Sequence, residues 1–186
     1  MFVEWMWLVR GNDETAIVVL EQLPFSNEIF IKTIETMSTP DLNQAIGRVQ
    51  FLDSYFNFKK VVVDETGLGA GVTDALKQRM LGRVEGVWYT QKSKAEIFTN
   101  LKLLMSKDKG KLWIPDWEEN TDSRVRKLLY QLLSIKQEYK EGQINPKISH
   151  EAREHDDIVN ALALSCSYFK VVKQRKGYPL GGGRGK

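Results

Sequence analysis

The chain has 186 residues, a formal net charge of +3 and a sequence pI of about 8.9, with 42% hydrophobic and 27% charged residues. That is the balance of a globular protein with one sizeable core, either one domain or one domain plus a tail. Cys166 is the one cysteine, which excludes an internal disulfide and points to a reducing compartment, the cytoplasm. No apolar run reaches the roughly eighteen residues that a membrane span needs, and the opening lacks the basic lead-in of a signal peptide. The mild basicity is compatible with nucleic acid without demanding it.

Met1 to Val9, rich in Val and Trp, predicts a first strand, Arg10-Gly11-Asn12-Asp13 a turn, and Thr15 to Leu20 a second strand. A third, roughly Glu28 to Ile34 after the Pro24 turn, completes an antiparallel meander. Thr39-Pro40-Asp41 is a helix start, and Leu42, Ile46, Val49, Leu52 and Phe56 then recur at helical spacing. The helix leads into Val61-Val62-Val63, β-branched residues that read as a strand buried on both faces and ending in Asp64. The glycines at 67 and 69 permit a tight turn into a helix over Val72 to Met80, and Val84 to Tyr89 reads as the fifth strand. Ser93-Lys94-Ala95-Glu96 has the spacing of a capping box, ahead of a helix with Ile97, Leu101, Leu104 and Met105 on its apolar face.

Lys111 to Pro115 is a short edge-like segment ended by proline. Thr121 or Asp122 caps a helix to about Lys136, with Val125, Leu128, Leu129 and Leu132 inward, and Ile144 to Ser149 suggests another short strand. Glu154-His155-Asp156-Asp157 opens a last helix through Cys166. The folded domain is expected to cover 1–172, with 173–186 a basic, Gly-rich, disordered tail. This order predicts an α/β domain whose mixed central sheet joins a three-strand meander to parallel strands, with helices on both faces. It is the layout of the ribonuclease H-like fold.

Two acidic stretches are candidates for chemistry. Asp64 stands at the carboxyl end of a buried strand, where open α/β sheets place their sites, although Asp64 or Glu65 could simply cap the next helix. Asp156 and Asp157, with Glu154 and His155, crowd a helix N-terminus. One or two acids there are ordinary capping, but more of them repel one another unless a cation sits among them. Carboxylates gathered from separate segments hold hard divalent ions such as Mg²⁺, with water and phosphate completing the shell. Both readings stand on spacing alone. His155 and His150 read as structural, Trp113 and Trp117 as local packing around Pro115, and Lys92, Lys94, Lys102, Lys107, Lys109 and Lys111 as a solvated helix face with some capacity for phosphate. The Gly-x-x-x-x-Gly-Lys-Ser/Thr pattern of a nucleotide-binding motor is absent.

Val62-Val63-Asp64-Glu65-Thr66-Gly67-Leu68-Gly69, followed by His155-Asp156-Asp157-Ile158-Val159-Asn160-Ala161-Leu162-Ala163-Leu164, resembles the nuclease domain of viral terminase large subunits, over about Glu4 to Phe169. Asp13 to Val19 is similar to that family's second strand. The resemblance implies a metal-dependent endonuclease that cuts double-stranded DNA during genome packaging. It also implies an acidic triad binding two Mg²⁺ or Mn²⁺ ions, which generate the attacking hydroxide and stabilise the leaving 3′ oxygen. Asp64 matches the second acid, and Asp157 the third, with Asp156 binding the second ion or orienting its partner. Asn160 stands where many relatives have an aspartate. The first acid has no counterpart at Trp5, Met6 or Trp7; Glu4 is the nearest upstream carboxylate, and Asp13 lies in the following turn. The partners implied are DNA and a packaging ATPase domain, small terminase subunit or portal, with no membrane. The chain is then a nuclease domain of a longer protein or a stand-alone relative. A RuvC-type Holliday junction resolvase, or a DNA-binding assembly module that has lost activity with its first acid, are the other readings.

Overall fold

A computed structural model describes residues 3–10, 14–38, 41–66, 69–106, 110–115, 122–139, 145–150 and 156–169, with backbone alone for 3–10. Its elements are β1 (Val3–Arg10), β2 (Glu14–Gln22), β3 (Ile29–Ser38), α1 (Leu42–Phe56), β4 (Lys60–Asp64), α2 (Gly69–Arg79), β5 (Val84–Val87), α3 (Gln91–Leu104), β6 (Leu112–Trp113), α4 (Ser123–Ser134), β7 (Lys136–Glu138), β8 (Lys147–Ser149) and α5 (Asp157–Cys166). A six-stranded sheet runs in the order β5-β4-β1-β2-β3-β6. The β1-β2-β3 meander is antiparallel, while β4 joins β1, β5 joins β4 and β6 joins β3 in parallel.

The central strands explain the two-sided core. Ala16 to Leu20 of β2 are all fully buried, and because strand side chains alternate between faces, consecutive residues enter different clusters. Ala16, Val18, Leu20 and Val62 pack with α3, α4 and α5, whereas Ile17, Val19, Val61 and Val63 pack with α1 and α2. Each of the Val, Ile and Leu side chains stabilises the fold by about 1.5–3 kcal/mol relative to exposure. The expected helices on both faces are thus present, and the predicted inward residues of α1 other than Leu42 and Phe56, and of α4 other than Leu129 and Leu132, are buried.

α5 is buried along its whole length, so its apolar character all round follows from being covered on every side. Asn100 of α3 closes its far end, donating to the Cys166 carbonyl at 2.6 Å and the Phe169 carbonyl at 3.1 Å. Burial pushes the Cys166 thiol well up, so it stays protonated and inert. On the opposite face, Arg83 grips Asp53 with two guanidinium nitrogens and also donates to the Phe58 carbonyl, fixing the end of α1 against the start of β5.

Several expectations shift. The helix after β5 starts three residues earlier than the predicted box: Thr90 is the N-cap, accepts from the Ser93 amide at 3.0 Å, and Ser93 reciprocates toward the Thr90 amide. β5 ends at Val87, and the predicted strand near Ile144 to Ser149 is the three residues of β8, paired with β7 in a separate two-stranded sheet. β7 escaped notice because Lys136-Gln137-Glu138 has no apolar alternation. Asp41 caps α1 through the Asn43 amide. Thr39, Pro40, Thr121 and the segment 173–186 lie outside the described residues. Among the described residues no helix is long and apolar enough to cross a membrane.

Candidate active site

The alternation that sorts the core also aims Asp64. Two residues beyond Val62 on β4, it stands on the α5 side of the sheet. Glu65, one step on, has the opposite parity and is drawn to Lys77 of α2 at 3.8 Å, which removes it from the site. Asp64 is only 7% exposed. Its Oδ1 accepts from the Thr66 amide at 2.8 Å. Burial raises its pKa, against the hydrogen bonding of Thr66 and the nearby charge of Lys94.

Gly69 makes this placement possible. A Cβ there would sit 1.7 Å from the Asp64 carbonyl oxygen, so only glycine lets the start of α2 close against the end of β4.

The acids of α5 face the same region. Asp156 occupies the N-cap position but makes no side-chain cap hydrogen bond. That role falls to Gln131 of α4, whose Oε1 accepts from the Val159 amide at 2.9 Å. Relieved of capping, the Asp156 carboxylate turns to two cations or potential cations: Oδ2 lies 3.4 Å from Lys94 Nζ and 3.2 Å from His150 Nδ1. Asp157, the first residue of α5, is buried. Replacing Gln131 with Leu leaves the buried Val159 amide without its acceptor. The expected cost is about 1–3 kcal/mol, read as a lower midpoint in urea unfolding; a midpoint equal to wild type would show the cap to be idle.

Tyr89 joins the two motifs' surroundings. Its hydroxyl donates to the Asn160 carbonyl at 3.5 Å, and its amide donates to Thr66 Oγ1 at 3.3 Å, linking the loop after β5 to the loop after β4 and to α5. Burial first, then the charges of Asp64 and Asp156, hold the phenol well above its ordinary pKa, so it remains a neutral donor. Tyr89 thus links the segment that follows Asp64 to the helix that follows Asp156.

The donor set has the chemistry of a hard divalent-ion site. It is all oxygen, and the Asn160 Oδ1 is buried with no hydrogen-bond partner among the described residues, which is the condition of a ligand oxygen. Among the described residues no three His, Cys, Asp or Glu side chains converge closely enough to hold an ion unaided. Mg²⁺ commonly takes just one or two carboxylates, with water and substrate phosphate completing its octahedron. Asp64 and Asp156 are acids of the chemistry that such an ion takes.

The expected first-strand acid is not supplied by Glu4. Trp5 of β1 pairs with Lys60, and Leu8 with Val63, so the position beside Asp64, one step further, is Val9. Glu4 stands five positions before that, at the opposite end of the strand, about 16 Å away. The shift of one residue that brings Val3-Glu4-Trp5 into line with the resemblance is thus ruled out by the register. Asp13, His155 and Trp117 lie outside the described residues. Sequence reasoning missed Lys94, Tyr89 and His150. Lys94 was counted with a solvated basic face, yet it bends inward; Trp113 stacks on Phe30 with ring centroids 6.1 Å apart, the local packing expected of it.

No protein-family model matches the chain, and no curated protein matches it in sequence. Solved structures do match in fold. The large terminase nuclease from thermophilic phage G20c with bound cobalt superposes with a TM-score of 0.70 at 24% identity, over 89% of this chain and 81% of that one. The nuclease domain of the large terminase subunit of bacterial virus Sf6 gives 0.62 at 12% identity, over 89% and 87%. The large terminase of bacteriophage HK97 gives 0.66 at 11% identity, with 90% of this chain covering 40% of that one. The mixed α/β sheet described above is the fold these nuclease domains share.

Proposed function

We propose that this chain is a divalent-metal-dependent endonuclease of the terminase type, acting on double-stranded DNA. What supports the reading is the likeness of the fold to terminase nucleases, together with Tyr89, which ties the loop after Asp64 to the helix that Asp156 and Asp157 begin. Asp64, Asp156 and Asp157 are the acids proposed to hold the metal, and Asn160 a neutral oxygen donor. A bound Mg²⁺ or Mn²⁺ supplies a Lewis acid for phosphodiester hydrolysis. Tyr89 stays protonated at neutral pH and keeps the floor of the site closed. The exposed Trp88, adjoining Tyr89, and Lys92 on the rim offer contacts for a passing duplex.

Cleavage of double-stranded viral DNA for genome packaging in the host cytoplasm, beside a packaging motor, small terminase subunit or portal, follows from the same reading. The fraction of the HK97 protein that the chain spans leaves room there for the motor. The test is nicking of supercoiled plasmid with Mn²⁺ or Mg²⁺, against EDTA. Metal-dependent nicking of unrelated plasmids, weakening steeply from 50 to 200 mM salt as phosphate-based binding requires, is expected. No nicking in either metal would overturn the reading, and selective cutting of four-way junctions would replace it with a resolvase.

A further inference from the structure

We infer that Trp88 is a stacking platform for an unpaired DNA base beside the scissile phosphate, so that the enzyme favours duplex that is locally opened at the cut. The inference rests on the nuclease reading and names the form of DNA that the proposed site takes.

The strand register sets the place. Asp64 of β4 pairs in parallel with Val87 of β5, and Trp88 is the next residue. With strands about 4.8 Å apart and a rise of about 3.3 Å per residue, its backbone lies about 6 Å from that of Asp64. β5 is an edge strand of the sheet, so DNA that reaches Asp64 from this side crosses Trp88 first. The indole is 60% exposed. Phe25 and Leu81 are more exposed still, but they stand at the opposite end of the sheet, in the β2–β3 turn and just ahead of β5.

The backbone around the indole is fixed. The Val87 carbonyl accepts from the Glu65 amide at 2.9 Å, and the Trp88 carbonyl accepts from the Ser93 hydroxyl at 3.3 Å. Tyr89 is held at its amide by Thr66 and at its hydroxyl by the Asn160 carbonyl. Three consecutive residues are thus tied to the β4 end, α3 and α5, and the ring between them is displayed in water, where its large apolar area contributes little to the core. A flat ring held this way gains most from another flat ring. Paired duplex presents base edges, sugars and phosphates, and only a base out of its stack presents a face. Stacking of that kind is tolerant of sequence. Lys92, exposed in the first turn of α3, supplies a cation for the adjoining phosphates.

The test uses the whole chain and two labelled DNA duplexes of the same length, one fully paired and one with a short central bubble of mismatches. Binding is read by fluorescence anisotropy in EDTA at low salt, and cleavage in Mn²⁺. The wild type is expected to bind the opened duplex at least about fivefold more tightly than the paired one. Trp88→Ala should bring that ratio below about twofold, and Trp88→Phe, which keeps a ring, should retain most of it. Lys92→Ala should weaken both duplexes alike and leave the ratio, as a phosphate contact does. A wild type that cuts in Mn²⁺ yet binds both duplexes alike, or whose preference survives Trp88→Ala, overturns the inference and leaves the nuclease reading standing. A wild type that prefers the opened duplex through Trp88 but cuts neither overturns the nuclease reading alone. Binding to neither duplex overturns both.

Discussion

Asp64→Asn is expected to abolish plasmid nicking, by at least about a hundredfold, while leaving the folded protein as stable as before or more so. Even outer partners of metal ligands are worth 10–100-fold in activity, and Asp64 is a ligand in the proposed site. The stability half follows from burial. At 7% exposure the ionised carboxylate is disfavoured, which is why its pKa is raised. A neutral isostere keeps an acceptor for the Thr66 amide and sheds the buried charge. A gain on the order of 1 kcal/mol is expected in the metal-free protein, a few degrees in Tm. Mn²⁺ should raise the Tm of wild type and not of the variant. Wild-type nicking by Asp64→Asn would remove Asp64 from the site, and a large loss of stability would mean that it holds the fold together instead.

The second large effect is expected from a methyl group. Gly69→Ala would drive a Cβ to 1.7 Å from the Asp64 carbonyl oxygen and 2.8 Å from its carbon, both backbone atoms that cannot swing aside. Either α2 retreats or the end of β4 is displaced. A cost of about 2–3 kcal/mol and a cleavage loss of at least tenfold, from an Asp64 moved by half an ångström or more, are expected by urea unfolding and nicking. Gly71, in the same helix, makes the comparison: a Cβ there meets only the Leu42 Cδ2 at 3.3 Å, a side-chain atom able to yield. Gly71→Ala should therefore stay within about 1 kcal/mol of wild type. Equal behaviour of the two variants would show that the tight approach at Gly69 is unimportant.

The fold was legible where chemistry is local. Three β-branched residues ending in an acid announced β4, and the 3.6-residue spacing of Leu42, Ile46, Val49 and Leu52 announced α1. Asp64 was legible because a carboxylate at the end of a buried strand needs a reason. The rest of the site was not, because it is made by registers and helix rotations that no short window contains. Lys94 sits beside Ser93, and the pair looks like a helix start in sequence; its ammonium meets Asp156 only because α3 and α5 pack side by side. His150 reaches the same oxygen through β8, a strand of three residues that pairs with an equally short, charged one. Glu4 looked plausible for the converse reason. Six residues separate it from the turn that starts at Arg10, a small offset in sequence that becomes the length of a strand in space.

The last helix is closed at both ends by amides lent from its neighbours, Gln131 at one end and Asn100 at the other. An ordinary helix loosens from its tips inward, a residue at a time. This one has no loose tip from which to begin, so it must leave the sheet as a single piece, taking the grip of α3 and α4 with it. The acids at its start are thereby spared the small, continual excursions of a fraying end. Their position is as permanent as the fold itself.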